Sequence, residues 1–408
     1  MYNRKNLWRK YQLIGTLLVG LPLATLAQSI LKQGAWHRIA IAQSGFYRID
    51  QSWLSKHQIS GDPRKFGLYS SPSGMLPQDP ANATASNLTP VPIAIEGEAN
   101  GQWDPGDQLL FWGDSPHKLT YDVKTLTWNQ ETHAYSDSSY YFLRTDDPKP
   151  LRINSLEPTK GTGNPLNFAQ TLSRYEPEKY NLIQSGRTWL GDAFYGSGNL
   201  ALQYALKDAV IDQKANLKAR FYSGGIAPGK FTINIPGNSP IPLEIPAISG
   251  NRYDQKAFSK DLNQTIELGS SADQWNWSIN YQSTSGTGYL DYVQLTYSRK
   301  FNPETDLPLY LFSNTRDTTV NLQIPNLQSS SIIWFKNGEN LWQDLKKTGP
   351  EMEIRISPGS RLAIGNSSKA LNPTYVSRVA NQDILDQDPQ LKLIIITSPL
   401  LMSAASKL

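Results

Sequence analysis

The sequence predicts a mainly β protein: consecutive antiparallel β domains of the sandwich type, followed by the first βα unit of a truncated α/β domain. Three observations predict it. Aromatic residues make up 11% of 408, with 11 Trp and 20 Tyr against only 18% charged residues, a composition suited to pleated, half-buried surfaces. The 29 Gly and 27 Pro punctuate short runs that alternate apolar and polar residues, the period of strands. Near the end, a continuous apolar run from Leu391 to Thr397 meets Ser398-Pro399, which reads as a strand buried on both faces feeding a capped helix.

The elements follow in chain order. Arg4, Lys5, Arg9 and Lys10 precede an apolar run from Leu13 to Leu23, and Thr25-Leu26-Ala27 supplies small residues for cleavage. Residues 1–27 are therefore expected to be a signal peptide, the run being shorter than the roughly 20 residues of a membrane span. The mature chain is expected to start near Gln28, exported and without a transmembrane span. Residues 36–41 and 46–49, around Ser44-Gly45, read as a hairpin. Asp50 is placed to cap a short helix over 51–57 that turns Trp53 and Leu54 inward. Strands are expected at 66–69, 91–96, 108–112 and 139–143, with 75–90 as a long surface loop.

Asp146-Asp147-Pro148-Lys149-Pro150 marks the end of this N-terminal β domain (28–150), and the polar stretch 151–184 is expected to be a linker. Strands at 201–206, 215–222, 230–235, 265–268, 275–281 and 290–298 fit a β-sandwich over 185–302. A small β domain over 303–370 is expected from runs at 309–312, 319–324, 331–335 and 352–356, with Asn337-Gly338 as a hairpin turn. Residues 371–408 are expected to open the truncated α/β domain. One strand and one helix do not complete such a domain, since a buried strand needs neighbours for its backbone groups. Residues 391–408 are for that reason expected to be the least stable element.

Charge and cysteine content exclude several functions. The chain carries 39 basic and 35 acidic residues; without the four basic residues of the leader, the remainder is neutral, which gives no support to nucleic-acid binding. Cysteine is absent, which removes disulfides, thiolate metal sites and a cysteine nucleophile from these residues. His37, His57, His117 and His133 form no paired-ligand or protease motif, and no serine sits in a nucleophile-elbow pattern, although a triad assembled from distant positions stays open. Asp104 and Asp107, in a Gly- and Pro-containing turn with Asp114 and His117 downstream, are candidate calcium ligands. The competing expectation is a turn in which the carboxylates bind local N–H groups, because two carboxylates fall short of the six to eight oxygens calcium takes. Trp103, Trp112, Trp128, Trp189, Trp275, Trp277 and Trp342 are candidates for a stacking platform, set against plain burial in sandwich cores.

A series of short motifs carries a resemblance. Trp36 to Ile41 with Gly45 to Ile49 comes first, then Asp62-Pro63-Arg64, Gly74-Met75-Leu76-Pro77 and Ile95-Glu96-Gly97-Glu98. The long run Asn100 to Gly113, Pro116-His117-Lys118 and Tyr135 to Leu143 follow. Ser185 to Gly191, Gly288-Tyr289-Leu290-Asp291-Tyr292, Pro373 to Val376, Val379 to Gln382 and Ile395 to Pro399 complete it. In number and order these motifs resemble the PorU-type sortases of the bacterial type IX secretion system, over essentially the whole mature chain. The resemblance implies a gingipain-like cysteine peptidase domain beyond the β domains, with a Cys nucleophile and a His partner. It also implies removal of a C-terminal sorting signal from cargo at the outer membrane and attachment of the cargo to a surface lipid. No catalytic residue carries over, because the sequence has no Cys. The implied role is a non-catalytic N-terminal portion, exported to the periplasm, outer membrane or cell surface. Its partners would be its own peptidase domain or secretion-system proteins. The alternative is a free-standing secreted adhesion or carbohydrate-binding β-sandwich protein.

Overall fold

The structure is a computed structural model and describes residues 29–82, 88–159, 161, 163, 165–269, 275–383, 395 and 397–406. The chain divides into residues 34–380 and a second unit made of the stretches on either side. Within 34–380 the protein is mainly β, with several antiparallel and mixed sheets and few helices.

The first layer pair is built from two sheets. One runs in the order Thr374–Val379, Trp36–Ile41, Ser139–Arg144, Gly67–Ser70, Thr89–Val91, and the other runs Gly45–Asp50, Gln108–Gly113, Ile93–Glu96. Their apolar faces share one core that includes Ile39, Ile41, Ile49, Leu68, Leu109, Phe111 and Leu143. The helix Gln51–Lys56 starts where expected, with the Asp50 carboxylate accepting the Trp53 N–H at 2.8 Å and with Trp53 and Leu54 buried.

Two expectations are corrected here. Trp36–Ile41 and Gly45–Asp50 do not form a hairpin: the first pairs with Ser139–Arg144 and Thr374–Val379, the second with Gln108–Gly113. The short connection carries the chain across the core to the opposite sheet, and the Tyr47 hydroxyl donates to the Gln43 carbonyl at 2.9 Å within it. Alternation shows that each run has a buried face, not which strand it pairs with. Thr374–Val379, expected to open the α/β domain, is instead the edge strand of the N-terminal sheet, with Trp36 opposite Val379.

The second sandwich is organised by one long strand, Trp275–Lys300. Residues 278–282 pair with Gly229–Asn234, residues 287–296 with Ala215–Gly224, and residues 293–300 with Phe168–Tyr175. The strand thus crosses between two layers around residues 283–286, and both layers bury side chains in a common core with Phe221, Phe231, Ile279, Tyr281 and Leu290. The crossing requires glycine. A Cβ on Gly286, at φ +111°, would lie 2.3 Å from the Gly224 carbonyl oxygen, and one on Gly225 would lie 1.8 Å from that of Ser285.

In the third sandwich, Ser331–Lys336, Trp342–Leu345, Arg361–Asn366 and Leu309–Leu311 face Thr318–Gln323, Glu351–Ile356 and Pro165–Leu166. Tyr310, Leu322, Ile333, Phe335, Met352 and Ile364 are among its core residues. Asn337-Gly338 turns the hairpin between Ser331–Lys336 and Trp342–Leu345, with Gly338 at φ 56°. The stretch expected to be a linker carries strands: Asn154–Leu156, Pro165–Leu166 and Phe168–Tyr175. Phe168–Tyr175 pairs with Trp275–Lys300 on one side and Leu309–Leu311 on the other, so the second and third sandwiches share a continuous sheet. Its inward positions are Ala169 and Thr171, which give no apolar period to read.

The second unit is described in pieces. A single 3-10 turn, Ile30–Lys32, lies beside residues 381–383: the Leu31 carbonyl accepts from the Gln382 N–H at 3.1 Å, and Lys32 pairs with Asp383 at 2.7 Å. Near the end, the Ser398 carbonyl accepts the Leu401 N–H, and the 3-10 turn Pro399–Leu401 runs into a short helix, Met402–Ala405. The signal peptide expected over 1–27 and residues 391–394 and 396 of the expected final strand lie outside the described residues. Of the expected final strand, the described residues Ile395 and Thr397 lie in no strand, so among the described residues there is no βα unit of a peptidase domain, and no helix is long and apolar enough to cross a membrane.

Candidate functional site

A two-stranded hairpin, Lys118–Asp122 with Thr127–Glu131, is the keystone of the 34–380 body. Toward the third sandwich, the Tyr121 hydroxyl donates to the Asn314 carbonyl and Arg361 donates to the Leu119 carbonyl, both at 3.0 Å. Toward the second, the buried Gln294 amide donates to the Trp128 carbonyl at 2.9 Å and accepts the Gln130 N–H at 3.2 Å. The Lys218 ammonium donates to Thr127 and Asn129. Each bond satisfies a backbone or side-chain polar group that the packing removes from water.

Between this hairpin and the outer face of the second sandwich lies a cleft of about 420 Å3. Lys218, Arg220 and Tyr222 project into it from alternate positions of Ala215–Gly224, opposite the inward Leu217, Ala219 and Phe221. Arg174, at the end of Phe168–Tyr175, forks onto Glu176 with contacts of 2.6 and 2.8 Å and lies 3.8 Å over the Tyr292 ring. Thr132 also donates to Glu176. Asp291 reaches the cleft through a β-bulge: Arg220 stands opposite Tyr292 and Phe221 opposite Leu290, which leaves Asp291 as the extra residue. A bulge of this kind redirects a side chain that strict alternation would turn inward.

The acids of the cleft are crowded. Desolvation, followed by repulsion from Glu176, raises the Asp291 carboxyl to about 6. Desolvation, with repulsion from Glu176 and Asp291, raises Glu178 to about 7, although that residue is open to solvent on one side. Neither carboxylate has a hydrogen-bond or ion-pair partner among the described residues. The cations beside them are engaged: Arg174 with Glu176, and Arg220 with Asp261 at 2.6 Å. Three of the resemblance motifs meet here, represented by Met75, by Arg187 to Trp189 and by Asp291-Tyr292.

Asp104 and Asp107 are not part of this cleft. The Asp107 carboxylate accepts the Asp104 N–H at 2.8 Å, Asp104 accepts from the Asn100 amide at 2.6 Å, and the Asp107 N–H returns to the Asp104 carbonyl. They hold a turn closed, and among the described residues no group of three His, Asp or Glu is arranged to hold a metal. Gly97 serves the same turn, since a Cβ there would meet an Asp107 carboxylate oxygen at 1.7 Å.

The histidines divide. His57 stacks on Tyr375 at 4.5 Å, and His37 approaches the same ring's hydroxyl at 3.4 Å. His117 accepts the His133 N–H, and burial lowers its pKa. Of the seven tryptophans considered as a platform, Trp112, Trp128, Trp275, Trp277 and Trp342 are core residues and Trp103 packs edge-on to Phe66. Trp189 alone among them is exposed, at 40%, on the rim of the cleft.

A larger cavity of about 720 Å3 follows the seam between the first and third sandwiches. On the side of the first sandwich its polar groups are paired locally: the Ser44 hydroxyl accepts the Ser115 N–H and Asp114 accepts the Trp112 indole N–H, both at 2.9 Å. Phe46, Trp112 and Trp342 close its apolar side, backed by Trp334 on Phe46, with ring centroids 5.0 to 5.4 Å apart along the chain of contacts.

No protein-family model matches the chain, and no curated protein matches it by sequence. Among solved structures, it superposes on dimeric latent PorU from Porphyromonas gingivalis with a TM-score of 0.73 at 19% identity, over 88% of this chain. The fold is PorU-like. The chain spans about a third of PorU, 34% of its length. The insecticidal delta-endotoxin Cry8Ea1 from Bacillus thuringiensis gives a TM-score of only 0.22 at 9% identity, over 56% of this chain and 41% of the toxin. An exo-beta-1,3-galactanase from Phanerochaete chrysosporium gives 0.18 at 12%, over 46% and 37%. Neither value bears on the fold. Two walls of the cleft are not anticipated by the sequence: Arg174 to Glu178, which fall inside the expected linker, and the hairpin Lys118–Asp122 with Thr127–Glu131, where no strand is expected.

Proposed function

We propose that this chain is a non-catalytic β scaffold of a PorU-like cysteine peptidase of the type IX secretion system. It would be exported behind its leader and would position an α/β peptidase domain or contact secretion partners. The observation that carries this reading is the superposition on PorU over 88% of the chain while only 34% of PorU is used. A likeness over so much of one chain and so little of the other supports a portion of a longer protein. The absence of Cys from all 408 residues agrees with it, since a thiolate nucleophile has to come from elsewhere. The apolar run 391–397 with Ser398-Pro399 supports the start of such a domain after the β scaffold ends at residue 380.

The test has two parts. Sequencing the gene beyond the Leu408 codon should reveal an α/β domain with a Cys and a His. The purified 408-residue chain should leave peptide substrates uncut, whereas the extended chain should cut them and lose that activity to iodoacetamide. Hydrolysis by the 408-residue chain alone, or an unrelated downstream gene, would overturn the reading.

A further inference from the structure

We infer that the cleft around Asp291 is a receptor for the guanidinium of an arginine presented by a protein or peptide partner. The bulge commits a carboxylate to this place. Asp291 is only 9% exposed, lines the cleft, and has no hydrogen-bond or ion-pair partner among the described residues. An unpaired buried carboxylate is costly, and above its pKa, where a proton no longer relieves it, the cost is recovered when a cation arrives.

The same face already handles guanidinium groups in one particular way. Arg174 is forked onto Glu176 and laid over Tyr292 at 3.8 Å. Arg220 is forked onto Asp261 and lies 5.8 Å from the centre of the same ring. Both combine a bidentate carboxylate with an aromatic face, the pairing a planar guanidinium satisfies and a compact ammonium does not. Asp291 and Glu178, with Tyr222 and the exposed Trp189, offer the same combination again.

The cations of the chain do not complete it. Lys218 is bound to Thr127 and Asn129, and the Arg187 guanidinium contacts the Met75 sulfur at 3.8 Å. A divalent metal is disfavoured, because no three-ligand group of His, Asp or Glu exists among the described residues. This receptor stands on the cleft's own geometry and does not require the chain to serve a peptidase.

The experiment uses the full chain and a fluorescein-labelled Gly-Arg-Gly-Gly amide at low salt and pH 8, read by fluorescence polarisation. Saturable binding is expected, with a Kd of about 1 mM or tighter, and the same peptide with citrulline for arginine should bind at least about tenfold more weakly. Asp291→Asn and the exposed Glu178→Gln should each weaken the arginine peptide by about fivefold or more, whereas Asp107→Asn should not change it. Lowering the pH to 5.5 should weaken binding as Glu178 and Asp291 take up protons. The charged and titratable groups facing them are Arg174, Glu176, Arg187, Lys218, Arg220, Tyr222, Asp261 and Glu131, with His117 beyond Glu176. Equal binding of the citrulline peptide would overturn the proposal. So would full binding by the Glu178→Gln and Asp291→Asn double variant, or calcium binding that depends on Asp291 and displaces the peptide.

Discussion

Two clusters of carboxylates in this chain are handled in opposite ways. Asp104 and Asp107 lie three apart in sequence, and their oxygens accept N–H groups of their own turn at 2.6 to 2.8 Å. Glu176 and Glu178 lie two apart just beyond Phe168–Tyr175, Asp291 joins them from the distant strand Trp275–Lys300, and only Glu176 finds partners among the described residues. Acids brought together by a local turn bring their donors with them. Asp291, added by strand register, comes with no donor, and desolvation with the crowding of Glu176 raises both it and Glu178.

The sharpest way to break the local cluster is through its glycine. Gly97→Ala places a methyl at φ 90° and 1.7 Å from an Asp107 oxygen, so a loss of about 3 kcal/mol is expected in urea unfolding. A loss under about 1 kcal/mol would show that the turn adjusts freely.

The assembled cluster should respond in the other direction. The folded pKa of Asp291, about 6, lies above its ordinary value of 3.8, so the folded state holds more protons between those values. Stability therefore falls as pH rises through that window, and the penalty is fully present above it. Asp291→Asn should stabilise the protein by on the order of 2 kcal/mol at pH 8 and by nothing at about pH 4. Thermal melts at both pH values check this, and a variant that is destabilised at pH 8 would show that the charge is compensated.

The smallest effect is expected from calcium. With Asp104 and Asp107 occupied by their own turn, millimolar calcium should leave the melting temperature unchanged. A rise that Asp107→Asn removes would establish a calcium site there.

Sequence alone showed what local chemistry decides. The Asp50 cap, the Asn337-Gly338 turn and the burial of Trp112, Trp128, Trp275, Trp277 and Trp342 follow from residue type and short-range spacing. Pairing partners did not follow. Trp36–Ile41 and Gly45–Asp50 look like a hairpin because both alternate, and only the packed core separates them into two sheets. Phe168–Tyr175 was hidden because a strand buried through Ala169 and Thr171 has little apolar signal. The cleft was the least visible part. Asp291 enters it through a one-residue offset between Arg220 and Phe221, and such an offset is a property of two strands together, absent from either alone.

The pairing of Trp36 with Val379 has a mechanical consequence. The body of residues 34–380 begins and finishes on neighbouring strands, at one end of their antiparallel ladder, so tension applied at these two positions peels that ladder open like a zipper. Bonds then yield singly rather than all at once, and Thr374–Val379 should detach under low force while the sandwiches behind it stay folded. The same adjacency makes the body a cassette that can sit within a longer polypeptide without forcing the flanking segments apart.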